Sequence, residues 1–211
     1  MNYFAAFDSE TGGLNPEVAD MLTFYMGLFD ENFKLVEEVD LKLKPEGRLP
    51  VADAGALKVN GIDLKAHLAN PETVTYAVGR ERVLAMLKRH YKKVGRSSNI
   101  RPLGYNVPFD EKFTFQHLIS QADWLNVMHY KRVDVMERVD FLKECGWFPK
   151  ELGSLGTVVD YLQIPKRSAH NAKEDTLMTV DVYKKLLEIM RNKKEGGSGQ
   201  QQDLIALLEA E

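Results

Sequence analysis

Two apolar runs, "MLTFYMGLF" over Met21–Phe29 and "FKLVEEVDLKL" over Phe33–Leu43, stand on either side of Asp30-Glu31-Asn32. Three polar residues between runs of strand length leave room only for a tight reversal, so the pair reads as antiparallel strands. Tyr3–Phe7 ahead of them reads as a short buried strand, and the three together predict an antiparallel meander. Beyond the meander the pattern changes. Pro50–Leu68 holds one or two short helices around "KVNGID", where Gly61 interrupts. From Val74 to about Val94, Val78, Val83, Leu84 and Leu87 approximate helical spacing. Ile100–Gly104 is a short strand, Pro108 is placed to open a helix, Val133–Val135 is strand-like, and Leu152–Leu162 is helical. From Lys173, Leu177, Val180, Tyr183, Leu187 and Met190 mark an amphipathic helix. Strands first, then helices alternating with strands, predict an α/β domain around a mixed β-sheet flanked by helices.

The composition shifts at "NKKEGGSGQQQ", a flexible linker, ahead of a short helical tail, "DLIALLEAE". The expected division is a domain over 1–193, a linker over 194–202 and a tail over 203–211. In that tail Leu204, Leu207 and Leu208 form one apolar stripe, the kind of segment that docks into a partner's groove or folds back onto its own domain. The net charge of −3 argues against a chain coated in basic residues, though not against a local basic groove. A single cysteine, Cys145, rules out an internal disulfide framework and fits a reducing compartment. The opening "MNYFAAFDSE" has no basic start and its apolar run breaks at Asp8, unlike a signal peptide. No stretch reaches the roughly 18 apolar residues of a membrane span. The expectation is a soluble, cytoplasmic protein of cellular or viral origin.

Carboxylates gather where these elements end. "AAFDSETGG" closes the first strand with Asp8 and Glu10 one residue apart. In a strand, residues i and i+2 share a face, so their charges repel unless the strand frays into the Thr11-Gly12-Gly13 turn or a cation lies between them. "LGYNVPFD" places Asp110 in a helix's first turn, where it complements the helix dipole with or without a metal. "SAHNAKEDT" sets His170 five residues before Asp175. Five residues rotate about 140° on one helix, so the two share a site only if His170 precedes the helix; otherwise Asn171 caps a helix beside an incidental histidine.

Asp-x-Glu, then Gly-Tyr-Asn-x-x-Phe-Asp, then His-x-Ala-x-x-Asp, in this order, resemble the motifs of the DEDD superfamily of 3′→5′ exonucleases. The likeness is to the DEDDh branch, whose third motif carries a histidine, and which includes the proofreading subunit of bacterial DNA polymerase III, ribonuclease T and oligoribonuclease. It extends over roughly residues 1–193. "GALKVNGID" is similar to that family's helix–turn segment, and "VDVMERV" to its internal strand and helix. Departures are Gly12 after Thr11, Tyr105 and Asn60 where histidine is common, and Thr176 in place of alanine. None of them removes a charged position.

The resemblance implies a ribonuclease H-like fold and a two-metal phosphodiester hydrolase. Two cations about 3.5–4 Å apart neutralise the attacking and leaving oxygens of such a reaction, and hard Mg²⁺ or Mn²⁺ ions suit an all-carboxylate ligand set. It assigns Asp8, Glu10, Asp110 and Asp175 as metal ligands and His170 as general base. Thr11 and Leu14 fall where the family contacts the terminal nucleotide, and Tyr105 and Asn106 join them as substrate-binding candidates. Single-stranded DNA or RNA 3′ ends are the implied partners, and nucleoside 5′-monophosphates the product. The linker and tail favour DNA and a tether to replication machinery, a polymerase or a sliding clamp. RNA trimming, a catalytically silent binding module and a small-molecule phosphohydrolase are the competing readings. Elsewhere, Lys88, Arg89, Lys92, Lys93, Arg96 and Arg101 form a basic cluster better explained as a solvated helix end than as a phosphate track. Phe109, Phe113 and Phe115 read as core, and Trp124 and Trp147 as core or as stacking platforms, core being favoured.

Overall fold

A computed structural model describes residues 2–167 and 170–195. The meander is present: β1 (Tyr3–Thr11), β2 (Met21–Phe29) and β3 (Leu35–Lys44) pair antiparallel in succession. Two short helices follow, α1 (Ala54–Asn60) and α2 (Leu64–Ala69). Asp53 and Asp63 cap their N-termini, and Gly61 closes α1 in the left-handed conformation at φ 66°. Then come β4 (Thr73–Thr75), α3 (Tyr76–His90), a small hairpin of β5 (Lys93–Val94) and β6 (Ser97–Ser98), and β7 (Ile100–Gly104). The chain continues through α4 (Val107–Phe113), which runs into one turn of π-helix over Thr114–Leu118, then α5 (Gln121–Val127) and β8 (Val133–Asp134). It ends with α6 (Val135–Glu144), α7 (Leu155–Tyr161) and α8 (Ala172–Glu195).

The sheet order is β4-β3-β2-β1-β7-β8, with β7 parallel to β1, β8 to β7 and β4 to β3. This is the expected mixed sheet with helices on both faces. Alternation along β1 divides the core in two. Ala5 and Phe7 face the cluster built with α3, α4 and α5, where Trp124, Phe24 and Phe113 are buried. Phe4 and Ala6 face the cluster built with α6, α7 and α8, where Val159, Val182 and Leu186 are buried.

Some elements differ from expectation. β1 runs four residues beyond Phe7, because pairing with β2 holds Asp8, Ser9 and Glu10 extended despite their low strand propensity. Thr73–Thr75 forms a strand against Lys42–Lys44, so the helix expected from Val74 starts at Tyr76 and leaves Val78 exposed. On α8 the predicted stripe is turned: Met178, Val182, Leu186 and Ile189 are buried with Val180, while Met190 is exposed. The helix also continues through Lys194 and Glu195, into the stretch expected to begin the linker. The rest of that linker and the 203–211 tail lie outside the described residues. Trp124 and Phe113 are core as expected, whereas Phe109 and Phe115 are half-buried. Among the described residues no helix is long and apolar enough to cross a membrane.

Candidate active site

Asp8 and Glu10 follow Phe4 and Ala6 on the β1 face that α8 covers, so strand alternation alone sets them side by side. Asp175, in the first turns of α8, reaches the same place: carboxylate oxygens of Asp8, Glu10 and Asp175 all lie within 4.8 Å of one another. Ser9 points to the opposite face, where α4 packs. Its hydroxyl donates to Asp110 Oδ1 at 2.6 Å, fixing a carboxylate that is only 3% exposed. Asp110 stands outside the compact trio, yet its charge reaches both Asp8 and Glu10.

His170 lies ahead of α8 in the left-handed region, φ 60°. That kink lets its backbone N–H donate to Asp175 Oδ2 at 3.1 Å, while Asn171 Oδ1 accepts from Lys173 N–H at 3.1 Å. His170 thus precedes the helix beside Asp175, the placement the five-residue spacing required for a shared site, and the asparagine cap is present as well.

The electrostatics of this cluster are one-sided. Burial, then Asp110, Glu10 and Asp175, push the Asp8 carboxyl far above its usual range. Burial with Asp175 and Asp110 lifts Glu10 to about 8. Burial lifts Asp110 to about 7 even though Ser9 pulls it down, and it raises Asp175 against the opposing pull of His170. Among the described residues no Lys or Arg forms an ion pair with any of the four. Asp20 shows what a compensated carboxylate looks like in the same protein. Burial pushes it up, but Arg48 grips it through two hydrogen bonds of 2.6 and 2.8 Å and Val51 N–H adds a third, so it sits below its usual range. Four acids without such a partner are arranged for positive charge from outside the chain. Their donors are all carboxylate oxygens, which suits a hard divalent cation.

Beside Glu10 a groove of about 410 Å³ is lined by Thr11, Leu14, Val59, Asn60 and Phe109, among others. Its wall is the loop after β1, laid flat against residues 51–53. Gly12 N–H donates to Asp20 O at 2.7 Å, Asp20 N–H to Val51 O at 2.9 Å, and Asp53 N–H to Gly12 O at 2.8 Å. A Cβ on Gly12 would collide with the Val51 carbonyl, so the latch requires glycine. The latched loop projects Leu14 into solvent, 86% exposed. Thr11 is buried and its hydroxyl donates to Gly13 O at 2.7 Å, and Asn60 Nδ2 donates to Thr11 O at 3.2 Å. Tyr105 is half-buried, packed against the second core cluster near Asp134 and Asp140. The backbone N–H of Asn106 donates to Asp134 Oδ1 at 3.0 Å, and its left-handed φ of 64° turns the chain into α4. The sequence reading did not single out Ser9, Val59 or Asn60 for the site and gave Phe109 to the core. "VNGID" was the available signal for the middle two.

Neither a family model nor a curated protein matches the sequence. Solved structures do. An exonuclease I structure superposes with a TM-score of 0.68 at 24% identity, covering 88% of this chain and 41% of that one. E. coli exonuclease I in complex with a dT13 oligonucleotide gives 0.68 at 22% identity, over 89% and 41% of the two chains. The zinc-bound form of the E. coli exonuclease I–ssDNA complex gives 0.66 at 24% identity, over 87% and 40%. The fold is that of exonuclease I. It is the ribonuclease H-like arrangement expected from the sequence, and the chain spans about two fifths of the length of these exonuclease I structures. Within the exonuclease I fold, this chain's acids come from the first strand, the helix after β7 and the final described helix.

Proposed function

We propose that the protein is a metal-dependent 3′→5′ exonuclease acting on single-stranded DNA and releasing nucleoside 5′-monophosphates. The observation that carries this reading is the convergence of Asp8, Glu10 and Asp175 within 4.8 Å, with no Lys or Arg ion pair to balance them among the described residues. The DEDDh-like order of motifs and the exonuclease I fold, solved elsewhere with oligonucleotides in place, support it. Asp8, Glu10 and Asp175, with Asp110, would hold cations of the Mg²⁺ or Mn²⁺ class. When bound, these supply Lewis-acid neutralisation of the charge that builds on a phosphodiester under attack.

The chain's own groups account for the remaining steps. His170, exposed at the rim and anchored through its N–H to Asp175, accepts the proton of the attacking water. Ser9 holds Asp110 in one orientation, so that ligand does not have to be ordered when substrate arrives. Leu14, Val59 and Phe109 offer apolar surface to the terminal base beside Glu10. The test is a digestion series with 5′-labelled DNA and RNA single strands of equal sequence and a mismatched primer–template, each in Mg²⁺ and in Mn²⁺. A one-nucleotide ladder from the 3′ end of DNA, absent in EDTA, is the expected result. Degradation of the RNA alone would make this an exoribonuclease, and no cleavage of any strand would overturn the proposal.

A further inference from the structure

Positive charge is unevenly spread over this protein. Residues 82–109 hold seven Lys and Arg and no Asp or Glu, in a chain of net charge −3. A solvated helix end explains part of this: Lys88 and Arg89 close α3, where cations complement the dipole, and Arg89 and His90 are engaged by Glu37. It does not explain what lies beyond the helix. Lys92, Lys93 and Arg96 stand on and around the β5–β6 hairpin, all exposed and, among the described residues, without an acidic partner.

The hairpin leads to a second feature. Ser98, which pairs with Lys93, donates its hydroxyl to Val127 O at 2.7 Å, and His129 N–H donates to Ile100 O at 2.6 Å. The loop after α5 is thereby joined to the hairpin. On that loop Tyr130, 66% exposed, stacks on His129 with ring centroids 4.7 Å apart and 21° between planes. Lys131 Nζ lies 5.8 Å from the Tyr130 centroid. Arg101, on β7 beside His129, has a buried Nε with no hydrogen-bond partner. Free cations beside an exposed tyrosine stacked on a half-buried histidine match the way single strands are bound without sequence preference: phosphates follow the charge while bases stack on rings. An acidic peptide makes no use of the ring stack, and a membrane surface needs more exposed apolar area than Val94 provides.

We infer that the β5–β6 hairpin and the His129–Lys131 loop form a second contact surface for single-stranded nucleic acid, remote from the carboxylate groove. Tyr3 and Ile100 are register partners at this end of the sheet. Asp8 and Glu10 lie five and seven residues farther along β1, roughly 17–23 Å at ~3.3 Å per residue. The surface therefore grips the body of a long strand and is out of reach of a very short one. This inference rests on the proposed function only in taking nucleic acid as the partner.

The test compares the intact protein with the Lys92→Ala/Lys93→Ala/Arg96→Ala variant and with Tyr130→Ala. Binding of a fluorescein-labelled 20-nucleotide dT strand is followed by anisotropy in EDTA across a salt series. Hydrolysis of a dT tetranucleotide is measured separately in Mg²⁺. Three lost phosphate contacts should lower the slope of log affinity against log salt by about 2, and weaken 20-mer binding by at least ~10-fold at 0.1 M salt. Tyr130→Ala should weaken binding with little change of slope, and tetranucleotide hydrolysis should be unchanged throughout. Unchanged 20-mer affinity and slope in the triple variant would overturn the surface, as would displacement of the 20-mer from it by poly-glutamate or anionic vesicles but not by unlabelled dT. If instead the intact protein binds the 20-mer through these residues yet hydrolyses nothing, the surface stands and the nuclease reading fails.

Discussion

Replacing Glu10 by Gln should make the metal-free protein more stable, increasingly so as pH rises from about 4.5 to about 8. Two charges 4.8 Å apart, the outer limit within the Asp8–Glu10–Asp175 trio, repel by about 3.5 kcal/mol at an effective dielectric of ~20. Burial first, then Asp175 and Asp110, raise Glu10 from 4.5 to about 8, a total of about 5 kcal/mol at 1.36 kcal/mol per pKa unit, of which repulsion is only a part. A carboxyl whose folded pKa is raised contributes its stability below about pH 4.5, and that stability is lost as pH rises through about 8. Salt screening and protonation of the neighbouring acids reduce the figure, so a gain of about 2–4 kcal/mol at pH 9 is expected. At 2–4 °C per kcal/mol for a chain of this size, that is roughly 4–16 °C in Tm. The assay is thermal unfolding followed by circular dichroism in EDTA from pH 4.5 to 9. The two proteins should coincide near pH 4.5 and diverge progressively up to about pH 8. Millimolar Mg²⁺ should then raise the parent's Tm more than the variant's, since the variant has lost a ligand. Parallel curves across the whole range would show that no repulsion is stored at Glu10.

Asp110→Asn should abolish hydrolysis while keeping the circular dichroism spectrum, because Asn still accepts from Ser9; normal turnover in Mg²⁺ would remove Asp110 from the site. His170→Asn keeps a residue type that tolerates the left-handed backbone, and should lower kcat by about 10²–10⁴ with little change in Mg²⁺ affinity by calorimetry. An unchanged kcat would give the base to another group. Leu14→Ala should lower kcat/KM on oligonucleotides by roughly 5- to 150-fold if the leucine supports the terminal base with ~1–3 kcal/mol, leaving Tm unchanged because the side chain is exposed.

What the sequence disclosed depended on how local each feature is. β2 matches its predicted bounds, since Asp20 and Asp30 bracket a continuous apolar run. β7 does as well, because "NV" and Pro108 end it sharply. The extension of β1 through Glu10 depends on pairing with Met21–Tyr25, which no local propensity announces. On α8, the sheet on one side and α7 on the other bury two adjoining faces, so a single-stripe reading selected Met190 over Ile189. Asp8 and Glu10 stood out because carboxylates at the end of a buried strand are chemically out of place there, whereas Asp110, Asp175 and His170 were picked out only by the order of motifs they form with the first pair. Val59 and Asn60 were not legible, because only the latch between Gly12 and residues 51–53 brings α1 beside β1. Phe109 has the composition of a core residue, and half-burial along a groove leaves no mark in a sequence.

The trio's members come from opposite ends of the described chain, Asp8 and Glu10 on the first strand and Asp175 on the final helix. A ribosome adding about 5–20 residues per second delivers the first two roughly 8–33 s before the third. Until α8 arrives, the second core cluster lacks Met178, Val182, Leu186 and Ile189, and the nascent chain has no complete site. Docking of that helix must bring Asp175 against two acids already in place, so the helix's apolar face has to overcome repulsion at its own N-terminus. A divalent cation reverses the sign of that contest. On the proposed reading, divalent cations would act on when the newborn chain closes as well as on catalysis, and a chain stalled before α8 would lack Asp175, one of the proposed ligands.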